Sequence, residues 1–214
     1  MAENLKVEVK MIRINDIEKP TKKILFLGYS QSQTKLIDAL IANNCIVDHT
    51  EEKIEATKGY DCIVSYGYKH ILKQNVIDGF DCPIFNLHIS YLPYNRGAHP
   101  NFWSFYDNTP SGVTIHLIDS GVDTGQIVKQ KYVNFQESDD TFVKTYSALI
   151  ENIENLFLEF LPSLLTDTWT AKKQGGIGTH HYVRDLPTNF SGWNSIITEE
   201  LSRLDNKGLV YDSQ

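Results

Sequence analysis

The segment Phe85-Asn86-Leu87-His88 carries a carboxamide and an imidazole two positions apart. Successive side chains in a strand alternate between faces, so Asn86 and His88 share one face and Leu87 takes the other. That pair suits acyl transfer: an amide N–H can stabilise a developing oxyanion while a ring nitrogen accepts a proton from an attacking amine. The chemistry also wants a carboxylate to orient the ring and favour its charged form. Asp123, in the Gly-flanked turn Asp119-Ser120-Gly121-Val122-Asp123-Thr124-Gly125, supplies one if its loop bends back to the same sheet end. By spacing alone, a polar strand face followed by an Asp in an ordinary turn reads the same way.

The elements that must hold these residues follow from hydrophobic periodicity. Short apolar runs at Ile24 to Gly28, Cys45 to Val47, Cys62 to Ser65 and Ile84 to Leu87 read as strands. Helical spacing at Leu36, Ile37, Leu40 and Ile41, and again from Ile71 to Val76, separates them. The alternation predicts an α/β fold with a doubly wound, mostly parallel sheet. Val113 to Ile118 and Ile127 to Val133 lie close together and predict an antiparallel addition. Ser138, Asp139 and Asp140 offer N-caps for a long amphipathic helix from Phe142 to Leu161. Gln174 to Gly178 reads as a loop and Ser195 to Leu204 as a weaker helix.

This divides the chain into an N-terminal extension (1–20), a catalytic unit (21–172) and a short C-terminal appendage (173–214). Val7, Val9, Met11 and Ile12 would add a strand in the extension. In the appendage, Phe190, Trp193, Ile196 and Ile197 are more apolar than so short a segment can cover, which predicts a homodimer.

Composition narrows the function classes. With 214 residues, 41% hydrophobic, the chain can bury a full core. A formal net charge of -7 argues against a nucleic-acid surface, which needs clustered cations to displace counterions. The three cysteines, Cys45, Cys62 and Cys82, form no C-x-x-C pair and read as reduced core thiols; no metal is implied. No apolar run approaches the roughly 20 residues of a membrane span and no leader-like segment opens the chain, so a cytoplasmic location is expected.

The run from Phe85 to Gly97 (Phe85-Asn86-Leu87-His88-Ile89-Ser90-Tyr91-Leu92-Pro93-Tyr94-Asn95-Arg96-Gly97), then Gly112-Val113-Thr114-Ile115-His116, then Val122-Asp123-Thr124-Gly125-Gln126-Ile127-Val128, resembles the formyltransferase domain that uses 10-formyltetrahydrofolate. The likeness extends over Ile24 to Leu165. It implies Asn86 as oxyanion donor, His88 as general base and Asp123 as its partner. It also implies a folate pocket formed by Tyr68, His70, Ile71 and Leu72 together with Asp119, Gly121 and Val122. Ile89 departs from the family, where Pro or Gly often follows the His. His116 fits the strand position before the Asp loop, with either a structural role or a substrate contact.

Among such enzymes, methionyl-tRNA formyltransferase would need a further C-terminal domain, and the deformylase a domain in front of the core. Glycinamide ribonucleotide formyltransferase fits by length but is expected to carry a glycine-rich turn after the first strand to cradle a phosphate. Here that turn is Gly28-Tyr29-Ser30-Gln31-Ser32-Gln33, with one glycine. The segment Gly178 to Leu186 is similar to the group acting on nucleotide-linked amino sugars, which implies an acceptor such as a dTDP-linked amino dideoxy sugar and a role in surface polysaccharide synthesis. Lys69 or Arg96 would then meet the pyrophosphate, and Tyr94, His99, Asn101 or Trp103 the sugar or base. The competing class is a non-catalytic folate- or nucleotide-binding module.

Overall fold

A computed structural model describes residues 10–205; Val7 and Val9 of the expected N-terminal strand lie outside them. The strands are β1 (Ile12–Arg13), β2 (Lys22–Gly28), β3 (Cys45–Thr50), β4 (Cys62–Tyr66), β5 (Ile84–His88), β6 (Arg96–Gly97), β7 (Gly112–Leu117), β8 (Ile127–Tyr132) and β9 (His180–His181). The helices are α1 (Leu36–Ala42), α2 (Gln74–Ile77), α3 (Pro100–Tyr106), α4 (Phe142–Leu165) and α5 (Ile197–Asp205).

Seven strands form one sheet in the order β1-β3-β2-β4-β5-β7-β8. The centre, β3-β2-β4-β5, is parallel, while β1, β7 and β8 join antiparallel at the edges. β7 and β8 are thus the antiparallel addition read from the sequence. Among the central strands β3 and β4 are buried throughout and β2 at every position but Lys23, as a sheet covered on both faces requires. On one face Ile24, Phe26, Val64, Phe85 and Leu87 pack against α1 and α4; on the other Leu25, Leu27, Ile63 and Ile84 pack under Leu72 and α2.

β5 shows most directly how the fold presents chemistry. Its apolar face buries Phe85 against Phe160 of α4, with ring centroids 5.5 Å apart, and against Trp169 at 5.1 Å. Its other face turns Asn86 and His88 toward a cleft at the carboxyl ends of the parallel strands, where open α/β sheets bind ligands.

Three regions differ from expectation. The helix expected over Ile71 to Val76 is the shorter α2, because the chain from Gly67 to Leu72 is given over to lining the cleft. Pro100 to Tyr106, not read as a helix, forms α3 with proline at its start and Pro100 to Ser104 buried. Two of the appendage's apolar residues are covered by the chain itself: Phe190 packs on Phe102 and Phe142, and Ile197 joins the same cluster. Among the described residues no helix is long and apolar enough to cross a membrane.

Candidate active site

The pairing of β5 with β7 builds the site. Antiparallel register sets Asn86 opposite His116, so both project from the same face, and His88 opposite Thr114. A bulge in β7–β8 pairing at Ile115/His116 precedes the loop that returns Asp123 to this face. Gly125 permits that return, since a Cβ there would collide with the Leu117 carbonyl. Asp123 itself takes a left-handed conformation (φ 54), a region Asp tolerates better than most residues.

The three sequence-selected groups converge. Asn86 Nδ2 donates to Asp123 Oδ1 at 3.3 Å and lies 3.2 Å from His116 Nε2. His116 Nε2 is 3.3 Å from Asp123 Oδ1, and the Gly97 N–H donates to Asp123 Oδ2 at 2.9 Å. His88 Nε2 lies 3.6 Å from Asp123 Oδ2 and 3.1 Å from the Asn95 carbonyl. The His88–Asp123 pair therefore acts through charge, while the ring is oriented by donating its Nε2–H to Asn95, which leaves Nδ1 as the acceptor. His116 is set in the same manner by Nδ1, 2.8 Å from the Leu117 carbonyl.

Burial by itself works against a charge on Asp123, but the two imidazoles and the Gly97 N–H outweigh it and hold the carboxyl well below the usual carboxylate range. The result is an ionised carboxylate in a nearly closed setting, beside an amide with hydrogens to donate and a ring able to take a proton. That constellation can stabilise a tetrahedral oxyanion and handle one proton.

Asn86, His88 and Asp123 line a cleft of about 560 Å³. Tyr68, Lys69, His70, Ile71, Leu72, Asp119, Gly121 and Val122 line it as well. β5 lies between β4 and β7, so the segments that follow those two strands flank its residues. The other expected acceptor contacts are placed elsewhere. Asn101 is 4% exposed and donates to the Phe142 carbonyl, holding α3 to α4. Trp103 is also buried, stacked on His181 at 3.9 Å. His99 caps α3 and packs against Trp193. Arg96 is engaged by Gln174 rather than turned to the cleft, and Tyr94 is not among the lining residues. The reason is common to the first two: α3 is an inner helix, so its polar and aromatic side chains serve packing.

Tyr29, Tyr66, Tyr146 and the segment His180 to Val183 also line the cleft; sequence reasoning gave none of them an individual site role, although His180 to Val183 falls within the Gly178 to Leu186 likeness. They come from four separate parts of the chain, and no local pattern links them. His116 stood out in the sequence as the strand position before the Asp loop, but only the β5–β7 register places it beside Asn86. Several N–H groups of the first turn are taken up within the chain. The Tyr29 N–H is bound to the Tyr66 carbonyl, Ser30 N–H to Gln33 Oε1, and Gln33 and Thr34 N–H to the Ser30 carbonyl.

Residues 22–161 match the family described as Formyl transferase. The chain is 32% identical over 158 residues to a dTDP-4-amino-4,6-dideoxyglucose formyltransferase of Mycobacterium tuberculosis, covering 74% of this chain and 61% of that protein's length. Among solved structures it is similar to the formyltransferase PseJ from Anoxybacillus kamchatkensis, in complex with UDP-4,6-dideoxy-4-formamido-L-AltNAc and tetrahydrofolate. The TM-score is 0.75 and the identity 37%, with 83% of this chain and 96% of PseJ covered. An N-formyltransferase from Helicobacter canadensis shares the fold at 20% identity and a TM-score of 0.66, covering 79% of this chain and 75% of its own.

Proposed function

The chain belongs to the formyl transferase family, and on that premise we propose that it moves the formyl group of 10-formyltetrahydrofolate onto the amine of a nucleotide-linked amino sugar. The observation that carries this reading is the meeting of Asn86, His88 and Asp123 in one cleft with the two segments expected to hold folate. The wall suits a flat, partly apolar donor: Leu72, Ile118 and Val122 offer apolar surface, and the loops around them offer backbone groups.

The chemistry is nucleophilic acyl transfer. The neutral acceptor nitrogen bonds to the formyl carbon, the bond from that carbon to N10 breaks, and the proton lost by the amine ends on N10. In this reading the Asn86 amide donates to the carbonyl oxygen as it gains charge. His88 accepts the amine proton and returns it to the leaving nitrogen, and Asp123 offsets the charge His88 carries between the two steps.

Two features support the acceptor class. The Tyr29, Ser30 and Gln33 N–H groups of the first turn are already bound within the chain, which reduces the number that could converge on a terminal phosphate. The identity to PseJ and to the mycobacterial enzyme points the same way. Lys69, in the cleft, is the cation we assign to the pyrophosphate in place of Arg96. We take residues 21–172 as the catalytic unit and place the reaction in the cytoplasm, in surface polysaccharide synthesis. Homodimerisation is a further proposal, resting now on the strip formed by Val143, Trp193 and Ile196, which are 42%, 40% and 40% exposed.

Steady-state kinetics with dTDP- and UDP-linked amino sugars, glycinamide ribonucleotide and methionyl-tRNA test the assignment. An amino-sugar nucleotide should give the highest kcat/KM. A higher value for glycinamide ribonucleotide than for every sugar nucleotide would overturn it.

A further inference from the structure

Asp123 is held at both ends by a ring of contacts that runs through residues remote in sequence. The Gln174 Nε2 donates to two main-chain carbonyls, those of Asp123 and Gly125, each at 2.8 Å. Its Oε1 accepts from Arg96 Nε at 3.0 Å and from the Arg96 terminal nitrogen at 2.6 Å. Arg96 adjoins Gly97, whose N–H binds the Asp123 carboxylate at 2.9 Å. The circuit closes: carboxylate, Gly97, Arg96, Gln174, and back to the Asp123 main chain.

The side chain at 174 must be an amide for this. Two carbonyls need two N–H hydrogens on one nitrogen, and a guanidinium needs an acceptor; only a carboxamide offers both at once. The Arg96 end is itself anchored, because β6 pairs with β9 and the Arg96 N–H donates to the Thr179 carbonyl at 3.1 Å. Within the loop, Asp119 accepts from the Gly121 N–H and the Thr124 hydroxyl, and the Leu117 N–H donates to the Gln126 carbonyl; the Gln174 amide adds the side-chain contact to the Asp123 main chain itself. The Asp123 carboxylate must stay within 3.3 Å of His116 and 3.6 Å of His88.

We propose that Gln174 and Arg96 are positioning residues, a clamp that fixes the Asp123 carboxylate against His88 and His116. The proposal rests on the role given to Asp123 in formyl transfer. It assigns Gln174, beyond the 22–161 stretch that matches the family, and reassigns Arg96 from substrate binding.

Two readouts on the full chain test it. In kinetics with 10-formyltetrahydrofolate and an amino-sugar nucleotide, Gln174→Ala should lower kcat by about 10²-fold, the scale of a misplaced catalytic group, with both KM values within about threefold of wild type. Gln174→Glu keeps an acceptor for Arg96 but has no hydrogen for the two carbonyls, and should fall as far. Arg96→Lys, a point charge in place of a fork, should fall less.

The second readout needs no turnover. With carboxyl-labelled aspartate, the Asp123 signal in wild type should remain at its ionised limit from about pH 6 down to about pH 4, whereas in Gln174→Ala it should be partly protonated by about pH 4 as its midpoint moves up toward the ordinary value of about 3.9. The groups facing Asp123 in this titration are His88, His116 and the Gly97 N–H. A flat Asp123 signal in the variant, or a rise in both KM values with kcat unchanged, would overturn the clamp. If no acceptor is turned over by wild type, the functional reading fails while the carboxyl signal still decides the clamp. Should Gln174→Ala not fold, Arg96→Lys carries the same two measurements.

Discussion

At the scale of single residues, a short β-strand and a returning loop bring an amide, an imidazole and a carboxylate within hydrogen-bond or ion-pair distance of one another. If His88 moves the proton, His88→Ala should lower kcat by about 10² to 10⁴-fold while the protein still folds. Near-normal turnover at saturating donor and acceptor would remove His88 from the chemistry. Asp123 also carries a stability consequence. Its folded carboxyl is held below the unfolded value of about 3.9, so its contribution is fully present above that pH and is lost as pH falls through the folded value. Asp123→Asn should therefore melt below wild type at neutral pH, and the gap should narrow as the pH drops below about 4. Thermal melts across that range check the sign; a gap that widens on acidification would contradict it.

At the scale of elements, β5 separates chemistry from packing by its own alternation. Asn86 and His88 face the cleft, while Phe85 and Leu87 belong to the core under α4. Phe160 is the helix-side partner of Phe85 and is 3% exposed. Phe160→Ala removes that support and leaves a cavity, and should cost about 3–5 kcal/mol in urea unfolding. A loss under about 1 kcal/mol would mean that α4 can collapse onto the strand. The long periodic stretch that forms α4 was readable because one face of it is consistently apolar. The short helix α3 was not, because Pro100 to Ser104 are all buried and offer no polar face to set a period.

At the scale of the whole molecule, the appendage folds back on the chain. Phe190 and Ile197 complete a cluster with Phe102, Trp103 and Phe142, and the exposed strip at Val143, Trp193 and Ile196 beside it is the surface proposed for a second copy. If that strip is a dimer contact, light scattering should give twice the monomer mass, and Trp193→Glu with Ile196→Glu should return the monomer. A monomer in wild type at micromolar concentration ends the dimer proposal. The central sheet, its antiparallel edge, the long helix and the selection of Asn86, His88 and Asp123 as one candidate group could all be read from the chain. Each is written in local periodicity, in turn chemistry or in a motif contiguous along the sequence. The sequence could not place His116 beside Asn86, withdraw Arg96, Asn101 and Trp103 from the cleft, or bring Gln174 to the Asp123 loop. Those depend on strand register, on how deeply a helix is buried, and on contacts between residues 30 to 80 positions apart. Only closure of the chain on itself decides them.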